Sequence, residues 1–134
     1  MKSWAPCVLR IGISLVFLWF GFQQLNNTEM WTGLIPDYAT NISGLSAFTL
    51  VTVNGAFEMV FGLILLFGIY TRLAAILLAL HMIHIVITVG YSAIGVRDFA
   101  ITIATITIFL NGMDCCGLDW KFGRKEVTTA SSSL

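Results

Sequence analysis

The chain has 134 residues, of which 57% are hydrophobic and only 10% charged; its seven basic and seven acidic residues give a formal net charge of zero, and its mean hydropathy is +0.89. Soluble domains carry about 25% charged residues, so this composition excludes a soluble globular fold and indicates an integral membrane protein. Scattered basic residues with no net charge exclude a nucleic-acid surface, there is no Gly-rich phosphate loop, and at ~20 residues per crossing four spans nearly exhaust the length, so residues 1–134 form a single membrane domain.

At the N-terminus, Lys2 followed by the uncharged run Ile11 to Phe22 has the length of a signal-peptide core. The exit sequence GFQQLNNTEM lacks a small-x-small cleavage site, so residues 4–24 are expected to be a retained span, entered through Pro6 and carrying Arg10. Residues 26–44 hold Glu29, Trp31, Pro36, Asp37 and Tyr38, too polar to span and suited to an interfacial loop. The second and third spans are expected at 45–70 and 73–89, joined by the corner Tyr70-Thr71-Arg72, which allows only an antiparallel hairpin. Gly90-Tyr91-Ser92 then breaks the apolar run. From Ala100 to Phe109, AITIATITIF alternates with period two like a strand. An isolated strand would leave its backbone polar groups unsatisfied in hydrocarbon, so 93–113 is expected to be a fourth helix. Residues 114–134 are expected to be a cytoplasmic tail, disordered in its final TTASSSL. The fold class is an all-α membrane protein, a four-transmembrane-helix bundle.

Six of the seven basic residues, Lys2, Arg10, Arg72, Lys121, Arg124 and Lys125, fall at one face of such a bundle and only Arg97 at the other. Both termini are therefore expected in the cytoplasm, with the chain a multi-pass protein of the cell's inner (cytoplasmic) membrane.

Residues three or four apart share a helix face, and each span carries one small or polar stripe expected to turn away from lipid. These stripes are Arg10, Ser14, Phe17, Gly21 and Gln24; Asn54, Glu58, Gly62 and Leu65; Ala74, Leu77, His81, His84 and Thr88; and Asp98, Thr102, Thr105, Phe109 and Gly112. A charged side chain at mid-membrane costs at least ~2.5–3.5 kcal/mol, so Glu58, His81 and His84 mark a functional site. With the boundary at Lys2 and Tyr70, helical rise puts Glu58 at roughly 18 Å and His84 at roughly 20 Å, with His81 at ~16 Å and Arg10 at ~12 Å. An extended Arg10 is expected to reach and pair with Glu58, either as part of a ligand site or as a structural clamp between the first two spans. Arg97 is expected to face inward beside the outer loop, with Asp98 or Asp37 as its neighbour.

The segment EMVFGLILLFGIYTRLAAILLA, Glu58 to Ala79, resembles the signature of the DoxX/DoxD family of small four-span membrane proteins. Arg10 early in the first span, GFQQL at Gly21 to Leu25 and the aromatic, Pro-bearing outer loop support the resemblance, which loosens after Gly90. It implies a four-helix bundle and, for some members, a role in quinone-linked sulfur oxidation of the thiosulfate:quinone type. The motif identifies the fold better than a reaction.

The cysteines, Cys7 alone and Cys115-Cys116 adjacent, lack the Cys-x-x-Cys spacing, and free thiols are expected for all three; a thiol relay would require the first and fourth helices to be neighbours. His81-x-x-His84 with Glu58 offers three metal ligands without the repeated carboxylates of di-metal bundles, and two His on one helix face cannot serve both sides of a haem, so neither metal nor haem is expected. A quinone is the expected cofactor, contacted by Asn54, Glu58, His81 and His84, with Arg10, Glu58, His81 and His84 moving protons and balancing charge. The resulting expectation is a membrane subunit of a quinone-linked oxidoreductase, embedded in the lipid bilayer and working with other membrane subunits or a redox partner. The alternative is a non-catalytic accessory subunit of a larger membrane complex. A transporter is disfavoured, since no broken pair of spans or inverted repeat is visible.

Overall fold

A computed structural model describes residues 4–119 and residue 121. Six helices follow one another: α1 (Ala5–Asn26), α2 (Thr28–Thr32), α3 (Asp37–Ser43), α4 (Ala47–Phe67), α5 (Thr71–Val89) and α6 (Ala93–Asn111), with no strand among the described residues. The four long helices contain 22, 21, 19 and 19 residues and are apolar enough to cross a membrane. Their lengths of about 28–33 Å match a hydrocarbon core of about 30 Å. The protein is an all-α membrane protein of four spans. The Ile/Thr alternation of α6 is helical after all, as the need for internal backbone hydrogen bonds requires.

Each boundary has a local chemical cause. Pro6 sits in the first turn of α1, where its missing N–H has no partner to lose. Ser46 and Ser92 cap α4 and α6, their hydroxyls accepting from the N–H groups of Thr49 and Gly95. At the end of α4, Gly68 turns left-handed (φ +66°); its N–H donates to the Leu65 carbonyl and that of Ile69 to the Ile64 carbonyl, both at 3.1 Å. This Schellman closure ends the second span at Phe67 rather than at Tyr70. The start of α5 is capped from far along the chain: the Asp119 carboxylate accepts from the N–H groups of Tyr70 and Thr71 and from the Thr71 hydroxyl. The Asp119 N–H returns a bond to the Gly68 carbonyl at 2.9 Å. Residues 114–119, expected as the start of a tail, thus belong to the folded bundle, because they satisfy backbone groups at the α4–α5 corner. TTASSSL lies outside the described residues.

The helices form a ring in which α1 packs most closely on α4 and α5 on α6, with α4–α5 and α1–α6 completing it. Close approach of α1 and α4 depends on Gly21 and Gly55: a Cβ at Gly21 would stand 2.8 Å from the Gly55 carbonyl oxygen, and one at Gly55 would stand 2.9 Å from Gln24 Cβ. Without a hydrophobic force between helices in lipid, such backbone proximity is a main source of association. The buried apolar cluster joins Phe17, Leu65, Ala75, Leu78, Met82 and Ile108, while Val8, Leu15, Trp19, Ile87 and Leu110 cover the exposed surface that lipid wets.

The stripe of α1 is buried at all five expected positions, and Glu58, Gly62 and Leu65 are buried on α4 with Asn54 half-buried. On α6 Asp98, Thr102, Thr105 and Gly112 are buried and Phe109 is half-buried. On α5 the expected stripe is rotated. Burial falls on Thr71, Ala74, Ala75, Leu78, Ala79 and Met82, leaving His81 half-buried and His84 exposed. The small residues Ala74, Ala75 and Ala79 turn toward the neighbouring helices, and His84 is left to line a cavity.

Candidate functional site

Two polar clusters occupy the bundle. The corner end holds the start of α1, the α4–α5 corner and the end of α6; the loop end holds α2 and α3. Near the middle, toward the loop end, Glu58 accepts from Gln24 Nε2 at 2.9 Å on one carboxylate oxygen and from Asn54 Nδ2 at 3.1 Å on the other. Asn54 Nδ2 also donates to Gln24 Oε1 at 2.6 Å, so two amides and the carboxylate form a closed triangle between α1 and α4. The α1–α4 glycine contact brings Gln24 within this reach. Glu58 is 3% exposed, and the amides hold its carboxylate in a single orientation.

On the α5 side His81 Nε2 lies 3.5 Å from Glu58 Oε1. That nitrogen is buried with no hydrogen-bond partner among the described residues, and its ring leans on Phe57 with centroids 4.8 Å apart. A separation of 3.5 Å is at the outer limit of a hydrogen bond, so His81 stands beside Glu58 without being fixed by it.

A cavity of about 310 Å³ opens on the other side of this triangle. Its apolar wall includes Phe17, Phe20 and Ile101; α2, α3 and the segment between them roof it with Trp31, Leu34 and Pro36. The region 26–44, expected as an interfacial loop, therefore contains two short helices that cover the bundle, anchored where Tyr38 Oη meets Thr88 Oγ1 at 2.9 Å. The polar lining comprises Gln24, Asn54, Glu58, His84, Thr88, Arg97 and Asp98. Arg97 donates from Nε to Asp98 Oδ1 at 2.8 Å and stacks its guanidinium 4.5 Å above the Phe20 ring. Its neighbour is Asp98, one of the two acids expected.

Arg10 is elsewhere. Its Nε donates to Asp114 Oδ2 at 2.7 Å, Nη2 reaches Asp114 Oδ1 at 3.3 Å, and Nη1 donates to the carbonyls of Leu65 and Leu66. The expected Arg10–Glu58 pair is not formed. Those carbonyls stand seven and eight residues beyond Glu58, about 10–12 Å along α4. The Leu66 carbonyl is an open acceptor at a helix end and that of Leu65 accepts a second bond beside the Gly68 N–H, and an arginine near its own helix start extends toward the nearer end of the bundle rather than its middle. Of the four residues expected to act together, His81 stands beside Glu58 and His84 shares the cavity lining with it; Arg10 belongs to the corner end.

Sequence reasoning placed Gln24 on the inward stripe without assigning it to the site, although its register with Gly21 was a usable signal. Asp114 had none, since it lies just past the expected end of the fourth span. Cys7 and the Asp114–Cys116 segment also meet here, and the first and last long helices are neighbours. Outside the spans, Cys115 and Cys116 have thiol pKa values raised above the ordinary range: Cys115 by its hydrogen bond with Cys116 and by desolvation, and Cys116 by a hydrogen bond with Cys7 and by desolvation.

No curated protein and no solved structure matches the chain. The family model for DoxX matches residues 5–91, a segment that runs from the start of α1 through α5 and includes Arg10, the Gln24–Asn54–Glu58 triangle and both histidines. The chain therefore belongs to the DoxX family.

Proposed function

We propose that the chain is a membrane subunit of a quinone-linked oxidoreductase and that its cavity receives the quinone head group. The observation that carries this reading is the lining of the cavity: aromatic and aliphatic walls with a few polar side chains, Glu58, Asn54 and His84 among them. A ligand site of this kind suits a flat apolar ring bearing two carbonyl oxygens, because a few placed donors orient what the apolar walls hold. Its residues fit such a group. The His84 ring is a donor within the cavity, Asn54 and Gln24 hold the Glu58 carboxylate, and Phe17, Phe20 and Trp31 supply ring faces.

A bound quinone would supply two-electron, two-proton redox chemistry, with electrons delivered by a partner redox subunit. The His84 ring nitrogen is one proton-holding atom at the cavity, and Glu58 Oε1, with His81 Nε2 behind it, is the second. The α2–α3 roof limits water there. By the distribution of basic residues, the corner end and both termini face the cytoplasm, across the cytoplasmic membrane.

The test is saturable binding of a short-chain ubiquinone or menaquinone analogue to the purified chain in nanodiscs. Binding above that of empty nanodiscs, weakened by His84→Leu and by Glu58→Gln, is expected. Binding that never exceeds lipid partitioning, or that both variants leave unchanged, would overturn the reading.

A further inference from the structure

We propose that Cys7, Asp114 and Cys116 form a binding site for Zn²⁺ at the corner end of the bundle. This cluster is separate from the cavity, and the quinone reading does not use it. One ligand atom from each residue lies within 4.8 Å of the other two; Cys7 and Asp114 are buried and Cys116 is exposed. Tetrahedral zinc has bonds of ~2.3 Å to sulfur and ~2.1 Å to oxygen, which places such atoms about 3.5–3.8 Å apart. A rotation of the exposed Cys116 side chain supplies the approach of about an ångström that remains, and water takes the fourth position.

The surroundings favour this cation. Asp114 has about four lone-pair sites, of which three are occupied: Arg10 Nε on Oδ2, and Arg10 Nη2 with the Cys116 N–H on Oδ1. One remains for a metal. A ligating carboxylate is normally oriented by a hydrogen-bonded outer partner, and Arg10, 1% exposed, is already in that position. Two thiolates and a carboxylate carry three negative charges, which Zn²⁺ and the guanidinium together neutralise. Two sulfurs select a thiophilic metal over magnesium or calcium. Binding places the two cysteines in the thiolate form and releases their protons to water. The backbone is preset as well, since Gly117 packs against Gly68, whose Cβ would stand 2.5 Å from Gly117 Cα, and this holds the Asp114–Cys116 turn at the corner. A bound ion would tie the first turn of α1 to the segment after α6.

The experiment uses the full chain, reduced and stripped with a chelator, in detergent. It is titrated with Cd²⁺ while the thiolate-to-cadmium charge-transfer absorption is followed, and then with Zn²⁺ in competition. One Cd²⁺ per chain displaced by Zn²⁺ is expected, with Cys7→Ser and Cys116→Ser each weakening binding by at least about tenfold. Cys115→Ser should retain full affinity, because Cys115 is not among the three converging residues. Zn²⁺ should also raise the thermal midpoint of the parent chain and of Cys115→Ser, but not of Cys7→Ser, as a ligand of the folded state does. Should Cys7→Ser fail to fold, Cys116→Ser, at an exposed position, carries the same test. Absence of binding to the parent chain would overturn the proposal. So would loss of affinity in Cys115→Ser with retention in Cys7→Ser, the signature of adventitious capture by the adjacent thiols.

Discussion

Replacing Arg10 and Asp114 singly and together tests which charges are coupled. The pair is joined at 2.7 Å with side chains 1% and 3% exposed, so neither charge can turn to water when its partner is removed. Removing one partner of a buried ion pair costs ~3–5 kcal/mol. Asp114→Leu strands the Arg10 guanidinium, which keeps only the Leu65 and Leu66 carbonyls; Arg10→Met strands the carboxylate and also leaves the Leu66 carbonyl unsatisfied, at about 1–3 kcal/mol at most, while that of Leu65 keeps the Gly68 N–H. The double variant removes both charges, so its loss should be no larger than that of Arg10→Met alone. The coupling energy should be about 3 kcal/mol. Glu58→Gln is the control. It lies about 10 Å of helix away from the carbonyls Arg10 holds, so its effect should add to that of Arg10→Met within ~0.5 kcal/mol. Reversible unfolding in mixed micelles, followed by tryptophan fluorescence, measures all six chains: parent, three singles and two doubles. Additive losses for Arg10 and Asp114, or coupling of more than ~1 kcal/mol between Arg10 and Glu58, would refute the assignment of Arg10 to the corner end.

Gly55→Ala places a methyl 2.9 Å from Gln24 Cβ and 3.1 Å from the Gly21 carbonyl oxygen, so it should lower stability by ~1–3 kcal/mol in the same unfolding assay and weaken quinone binding by displacing Gln24 from Glu58. Asp119→Ala removes three hydrogen bonds at the start of α5 and should cost ~1–2 kcal/mol, like the loss of a strong N-cap, with faster amide exchange at Tyr70 and Thr71 as the local readout. Because the folded protein favours the neutral thiols of Cys115 and Cys116, their alkylation rates should inflect at higher pH than that of a free cysteine. Cys7→Ala should move the Cys116 inflection back down by removing the bond that raises it most. The stabilising contribution of these thiols is present below the unfolded thiol pKa and is lost as pH rises through the folded one.

Solvent, number of spans and, for α1, α4 and α6, the faces that turn inward are legible in the sequence alone. Those properties come from local chemistry: an apolar run of bilayer length must be helical, and a stripe such as Arg10, Ser14, Phe17, Gly21 and Gln24 has no favourable contact with lipid. The nearness of His81 to Glu58 is legible too, because helical rise is additive along a straight element. Partners depend on how the helices pack. Arg10 went to Asp114 and the α4 carbonyls, and the neighbours of Glu58 became Gln24 and Asn54, since α1 slides against α4 until Gly21 meets Gly55. The rotation of α5 was likewise unreadable in one helix. An alanine face and a histidine face compete there, and small residues prevail only once neighbouring helices can approach them closely. The fate of Asp114 and Asp119 was the least legible of all. Composition marks the residues beyond a last span as polar tail, whereas the hydrogen bonds of these two acids depend on backbone groups at Gly68, Tyr70 and Thr71 and on Arg10, left open by helix ends far away in the chain.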